Sequence, residues 1–506
     1  MINFLLWLPL VAGLLCFLAP SRWVRAVPVL GALAALVLAI ILVAGFDLGT
    51  AELQYTVDDS WIPDLGVRYQ LGVDGLSVFL VLLTALLWSA ATLYSAFHPP
   101  ERARTYFFML GLAETGVLGA FLAQDLLLFV LFFDLMLIPF FFLIGAFGGE
   151  NRIAATTKML VYTLVGSLLM LVGAIATAIL VSQQTGGELT FSIPALREAL
   201  RQVPLSDGSQ YWIFCFFAAA FLIKMPAIVV HGWFPDAYRA APLPVLLLLS
   251  GVLSKVGAYG FLRVVLPLFP DATSQFQELI LIIALISILY GSVMAFTQTN
   301  VRLIAGYSSI AQLGFITLGI FSLRADGAGG SVLQMVNHGL VVASTFFIIA
   351  LLFERTGTED LRRMGGQALR APMLAALFLV VTMATLAMPG SANFIGEFYI
   401  LNGVFQAKIV YAIIGIVGVA LAAFYSLRMY QRTMHNRLPE DVESREIGGR
   451  DLAILAPLVA CIVGLALWPG LVLDRSEDSV TDKLTAVAPS DEAAPTAVAQ
   501  IDPTTR

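Results

Sequence analysis

Apolar runs of about 20 residues recur from one end of the chain to the other, parted by short polar connections. At 1.5 Å per residue such a run crosses the roughly 30 Å hydrocarbon core of a bilayer as a helix. The pattern predicts about fourteen spans, at 4–18, 26–45, 76–96, 106–123, 126–147, a sixth ending near 181, 211–230, 244–266, 276–297, 303–323, 332–353, 373–404, 409–429 and 452–472. The fold class is therefore an all-α polytopic membrane protein. The long connections at 46–75 and 182–210 read as polar loops. The tail from 474 onward, rich in Ala, Pro, Thr and acids, reads as disordered.

Charge supplies the orientation. The odd-numbered connections hold most of the Lys and Arg, among them Arg102, Arg104, Arg152, Lys158, Arg355, Arg362 and Arg363. The even ones hold few and lean acidic. The positive-inside rule then places the Arg-rich connections in the cytoplasm and both termini outside. The first span has no basic residues before it and Arg22 and Arg25 after it, the reverse of a secretory signal, so it is expected to be retained. Composition agrees with the class, with 59% hydrophobic and 12% charged residues. Cys16, Cys215 and Cys461 stand far apart and offer neither a disulfide frame nor a cluster site.

Two spans are irregular. The twelfth has about 32 residues, roughly 48 Å of helix, which is too long for a straight crossing. Pro389 and Gly390 break it. The seventh reads KMPAIVVHGWFP and shares the dipeptide Met-Pro, at Met225-Pro226 and Met388-Pro389. They lie five spans apart, so they cross in opposite directions. That is the mark of an inverted repeat with discontinuous helices around a central site. The chain divides into helices one to three (1–105), a first five-helix repeat (106–270), a second (271–435), a last helix (436–473) and the tail (474–506).

Four ionisable residues are read inside spans: Asp134, Lys224, Lys255 and Glu397. A lysine at mid-bilayer costs about 2.5–3.5 kcal/mol on insertion scales. Lys224 lies about 9 Å from its span end, and snorkelling accounts for it in part. Lys255 is near the middle of its span, where snorkelling fails. Asp134, in FFDLMLIP, has no reach; it is neutral, paired with a lysine or wetted. Glu397 follows a break and either caps freed N–H groups or relays protons. His338, in MVNHGL, is a satisfied core histidine or a relay group. Ser308, Gln312 and Asn393 lie nearby. Two acids and two bases in separate spans suggest a polar axis, because burial disfavours a charged lysine and a nearby carboxylate restores it. No Walker loop, Gly-rich dinucleotide pattern or paired histidines supply a drive. The energy has to come from an ion gradient or a partner.

The segments LGVDGLSVFLVLLTALL (71–87), IKMPAIVVHGWFPDAYRAAP (223–242), LSKVGAYGFLRVVLPLFP (253–270) and MPGSANFIGEF (388–398) resemble the antiporter-like membrane subunits of proton-translocating NADH:quinone oxidoreductase, complex I. The resemblance runs from about residue 71 to 432. It implies fourteen helices in two inverted five-helix repeats, broken helices seven and twelve, and half-channels joined by a hydrated axis. By matching position it makes Lys224 the pumping lysine, Lys255 the connecting lysine and Glu397 the terminal acid, with His338 between the halves. Asp134 stands where the family has Glu. His231, Asp236, Tyr238, Ser308 and Gln312 are further candidates for the axis or its coupling. Gln312 replaces a frequent histidine and cannot titrate near neutrality; Tyr238 and Arg239 also depart from the pattern.

The resemblance further implies that this chain itself carries no redox centre or cofactor. NADH, FMN, iron–sulfur clusters and quinone would belong to partner subunits. The expected partners are the other membrane-arm and peripheral subunits, sister antiporter-like subunits included, and the lipid bilayer; nucleic acid is not expected. Two alternatives stay open: a subunit of a multisubunit Na+/H+ antiporter or membrane-bound hydrogenase, and a scaffold that has lost pumping.

Overall fold

The computed structural model describes residues 1–437 and 445–487. Two helices, α1 (Ile2–Leu18) and α2 (Ala26–Ala44), lead into a two-stranded antiparallel hairpin, β1 (Gln54–Ile62) and β2 (Val67–Val73). There follow α3 (Val78–Phe97), α4 (Ala103–Leu122), α5 (Leu126–Leu135), α6 (Leu137–Phe147), α7 (Arg152–Thr185), α8 (Ile193–Gln202), α9 (Asp207–Lys224) and α10 (Phe234–Ala240). The next crossing is built of α11 (Leu243–Leu248), α12 (Lys255–Gly260) and α13 (Leu266–Leu268), joined by π-helical turns at Leu249–Leu253 and Phe261–Val265. Then come α14 (Pro270–Thr297), α15 (Val301–Ile320), α16 (Ala325–Thr356), a single turn α17 (Gln367–Arg370), α18 (Pro372–Thr385), α19 (Ala392–Ala407), α20 (Ile409–Met434), α21 (Gly449–Leu467) and α22 (Gly470–Leu484). Among the described residues, 11 helices are long and apolar enough to cross a membrane, and α1 and α18 are shorter apolar helices.

Burial divides these spans into an inside and an outside. The 243–268 crossing and α15 are wholly enclosed by protein, and α16 is 94% so. By contrast α20 and α21 are only 33% enclosed and turn residues such as Ile413, Ile416 and Phe424 outward. Lipid can solvate those apolar faces, whereas polar groups in a bilayer need protein or water around them. The three enclosed crossings are the ones that carry Lys255, Gln312 and His338.

Among the described residues, hydrogen bonds between connections join odd-numbered ones to each other and even-numbered ones to each other. In the odd set, Arg104 donates to the carbonyls of Phe17 and Ala19 (3.0 and 3.0 Å), and the Tyr94 hydroxyl donates to Glu354 (2.8 Å). There too Arg302 donates to the Ala241 carbonyl (2.6 Å). In the even set, Asp125 caps α5 by accepting from the Leu127 and Leu128 N–H groups (3.0 Å each), and it accepts from the Arg68 N–H as well.

Three sequence expectations need correction. The loop at 46–75 holds the β1–β2 hairpin, whose Val67, Leu71 and Val73 are buried under the ends of α4 and α5. The loop at 182–210 holds the last residues of α7 and all of α8, which buries Ile193, Leu196 and Leu200. The tail is not disordered from 474: α22 continues to Leu484, and the rest of it, 488–506, lies outside the described residues. Only three of the large apolar residues of α22 (Val472, Val480 and Leu484) are buried, too few to stand out as a periodic pattern. Its other anchors are polar. Ser479 accepts from the Gly75 N–H (3.0 Å), and Asp482 pairs with Arg197 (2.5 Å) and Lys483 (2.9 Å). Burial pushes the Asp482 carboxyl up, but Arg197 and Lys483 outweigh it and hold it at about 2.

Candidate functional site

Both irregular crossings are interrupted where the Met-Pro dipeptides stand. Past Lys224, α9 stops and the chain is non-helical until His231; past Thr385, α18 stops and α19 begins at Ala392. Proline cannot donate a helical hydrogen bond, and around each break the chain makes a hydrogen bond of longer reach. The Ala227 N–H bonds the Leu222 carbonyl at 3.0 Å and the Met388 N–H bonds the Met383 carbonyl at 3.0 Å, each five residues back. Each interruption also holds a non-glycine residue at positive φ, Val229 at 85° and Ala387 at 52°. For a β-branched residue such as Val229 this is a strained conformation, of the kind that persists where the surroundings over-determine it.

At the first interruption Lys224 is 2% exposed. Its ammonium donates to the Phe133 carbonyl (3.3 Å) and lies 4.3 Å from the centre of the Phe133 ring. Asp134, the next residue, is half-buried at the end of α5, and its Oδ1 is enclosed without a hydrogen-bond partner. Lys224 remains within electrostatic range of it, but the two form no direct ion pair. The lysine is thus bonded to backbone rather than to carboxylate.

Lys255 is fully buried at the join between the two π-helical turns. It donates to the Ser250 carbonyl (2.5 Å) and approaches the Ser254 hydroxyl (3.5 Å). The wide turn supplies the carbonyl that a lysine in a regular helix would lack. The Ser250 hydroxyl pairs with Ser309 of α15 (3.0 Å), which carries the polar line across to the second half.

There His338, Ser308, Gln312, Asn393, Tyr425 and Ser426 line one cavity of about 350 Å³. The His338 Nδ1 is enclosed and has no hydrogen-bond partner among the described residues. Gln312 donates to Glu397 Oε1 (2.7 Å) and accepts from Gln334 Nε2 (2.8 Å), so its amide orientation is fixed from both sides. Glu397 is 2% exposed, and its second oxygen is enclosed and unpartnered, as are both polar atoms of the Asn393 amide. The unpartnered atoms of His338, Asn393 and Ser426 line this one cavity, where mobile water would satisfy them. Taken from the first half to the second, the sequence candidates make a row of three groups: Asp134 with Lys224, Lys255 with its Ser250–Ser309 link, and His338 with Gln312 and Glu397.

Other candidates lie off this row or play another part in it. Ser308 pairs with the Tyr425 hydroxyl (2.9 Å) at the cavity wall. His231 pairs with Tyr290 (3.1 Å) beyond the first interruption. Asp236 is bound to Lys158 (2.8 Å), both of them partly exposed. Tyr238 is buried, with its ring centre 3.8 Å from that of Phe234, and its hydroxyl faces Ser250. Sequence reasoning missed Gln334, Ser250, Ser309 and Tyr425. Gln334 was legible as a polar residue one helical turn before His338; the other three look like ordinary span residues. It also missed two buried ionisable groups inside spans, Glu114 and Arg263. Arg263 pairs with Asp74 (2.5 Å), 2% and 1% exposed, and donates to the Tyr259 hydroxyl (2.8 Å) near one end of the 243–268 crossing. Among the described residues, His, Cys, Asp and Glu do not gather into a group of three that could hold a metal ion.

Residues 123–423, which contain the whole row, match the family described as NADH:quinone oxidoreductase/Mrp antiporter, TM. The chain belongs to this family. NADH-quinone oxidoreductase subunit M of Escherichia coli (strain K12) is 36% identical to it over 499 residues, 95% of this chain and 97% of that protein. Subunit M of Rhodobacter capsulatus is 37% identical over 445 residues, 87% of this chain and 86% of that one. The fold aligns with a chain of respiratory complex I from Thermus thermophilus at a TM-score of 0.87 and 30% identity, covering 96% of this chain and 100% of the other. A chain of the Mrp complex from Dietzia sp. DQ12-45-1b aligns at 0.83 with 21% identity over 96% of this chain and 98% of that one, a likeness of fold alone.

Proposed function

We propose that this chain is a proton-translocating membrane-arm subunit of a respiratory NADH:quinone oxidoreductase, and that Asp134, Lys224, Lys255, His338 and Glu397 carry the protons. The observation behind this reading is the placement of Lys255, His338 and Glu397 beside unsatisfied polar groups in the most enclosed part of the molecule. A buried lysine and a buried acid linked by hydroxyls, amides and water can pass a proton without exposing a charge to hydrocarbon. Moving one charge across the membrane costs about 2.3 kcal/mol per 100 mV. Redox chemistry in partner subunits, with NADH, flavin, iron–sulfur clusters and quinone, supplies that energy. The chain makes fourteen crossings in two inverted five-helix repeats, each with one broken helix, and its partners are the remaining subunits of the complex.

The test compares quinone-reductase rate with acid uptake in inverted vesicles. Lys255→Ala and Glu397→Ala are expected to assemble and to lose acid uptake. Full pumping by an assembled variant would return that residue to a packing role. Orientation is read by cysteine labelling of intact cells. A cysteine at Glu477, on the exposed side of α22, is expected to label from outside, and one at Arg362 is not; the opposite pattern inverts the topology.

A further inference from the structure

Glu114 stands about 17 Å along α4, near mid-bilayer. It is 2% exposed, and neither of its carboxyl oxygens has a protein hydrogen-bond partner among the described residues; Oε1 is wholly enclosed. Nor does it belong to an ion pair there. It opens on a small cavity lined by Pro9, Ala12 and Gly13 of α1, Pro28 and Ala32 of α2, and Thr92 of α3. Thr92 is equally buried, and its hydroxyl makes no hydrogen bond among the described residues. Pro9 lacks an N–H, so its turn of α1 is one helical hydrogen bond short. Two unpartnered polar side chains and a proline-interrupted helix therefore meet at a space with room for about one water.

A carboxylate held this way would be an unpaired charge in hydrocarbon, which costs far more than keeping the proton. The titratable groups on elements packed against α4 are Cys16 of α1, Tyr94 of α3, Asp134 of α5, Lys255 and Tyr259 of α12, and Arg68 and Tyr69 of β2; α4 itself adds Arg104 and Tyr106. None of them lines the cavity. Glu114 also lies outside the segment that matches the family.

We propose that Glu114 is a proton-binding site in its own right, a carboxylic acid that holds an exchangeable proton against one water in a pocket among α1–α4, apart from the Lys224–Glu397 row. It would hydrogen-bond that water together with Thr92. The site does not depend on the role given to the row, so either reading can fail alone.

The test is infrared difference spectroscopy of the intact complex in membranes. The unmutated complex is expected to show the carbonyl stretch of a protonated carboxyl that Glu114→Gln abolishes, and deuterium oxide is expected to shift that band. Glu114→Asp, which keeps the acid, should move the band without removing it and serves if the Gln variant fails to assemble. A spectrum with no Glu114-dependent carboxyl band overturns the proposal. So does a band that ignores deuterium oxide, because the proton is then sealed in. Loss of the band on adding sodium ions also overturns it, since the pocket would then be a metal-cation site.

Discussion

The two interrupted crossings solve one problem in opposite ways. Lys224 is the last residue of α9, before its break, where the negative end of a helix favours a cation. Glu397 follows its break, in the second turn of α19, just past the first turn where a helix start favours an anion. Their partners differ more. Lys224 is held by the Phe133 carbonyl, a backbone group that neither titrates nor turns away. Glu397 is held by the Gln312 amide, itself held by Gln334, so its partner is a chain of side chains fixed by hydrogen bonds. The first site has its countercharge nearby but unbonded, in Asp134; the second has no countercharge bonded and relies on amides. The lesson is that the first site is tuned by distance to a carboxylate, and the second by the orientation of neutral donors.

The largest effect is expected where the amide chain ends. Glu397→Ala removes the acid itself, and acid uptake in inverted vesicles should fall at least about tenfold, equivalent to about 1.4 kcal/mol on the barrier. Parent-like uptake would dissolve the contrast between the two sites. Asp134 comes next. Since no direct ion pair is present to break, Asp134→Asn should assemble normally and pump several-fold less, while Asp134→Glu, one methylene longer, should reach toward Lys224 and keep pumping. If Asn pumps like the parent and Glu blocks assembly, Asp134 is a packing residue. A smaller loss is expected for Gln334→Leu, which strips the donor from the Gln312 carbonyl at a cost of about 1–3 kcal/mol. The complex should melt earlier and pump less, and an unchanged melting temperature would show that Gln312 is oriented some other way.

The smallest effect on transport is expected away from both sites, at the clamp of α22. The Asp482 carboxyl is held at about 2, below its ordinary value, so its contribution is whole above about pH 4 and is lost as pH falls through about 2. Asp482→Asn removes on the order of 2 kcal/mol from that clamp. The expected outcome is faster proteolysis near Leu484 at neutral pH, with acid uptake unchanged and little difference from the parent near pH 2. A pumping defect in this variant would tie α22 to the row.

Much of this was legible in order along the chain. Hydrophobic runs announced the spans, Met225-Pro226 and Met388-Pro389 announced the interruptions, and charges in apolar surroundings announced Lys224, Lys255 and Glu397, because each is a local violation of a strong rule. Glu114 broke the same rule and was equally legible, yet its pocket was not, since α1, α2, α3 and α4 each supply only one or a few of its walls. Serines in spans carry little signal, so Ser250 and Ser309 became meaningful only when a π-helical turn set one opposite the other.

Sequence by itself determined the membrane class, the places where helices break and which charges need an explanation. Those follow from transfer energies and backbone chemistry that act residue by residue. Tertiary structure alone decided which partner each charge meets: a carbonyl for Lys224, a widened turn for Lys255, and a pair of amides for Glu397. It also decided that α22 folds at all, because its few apolar residues gain enough only with Ser479 and Asp482 anchored on residues hundreds of positions away. Hydrogen bonds and ion pairs act over a few ångströms, and positions that distant in sequence come within such reach only when the helices pack.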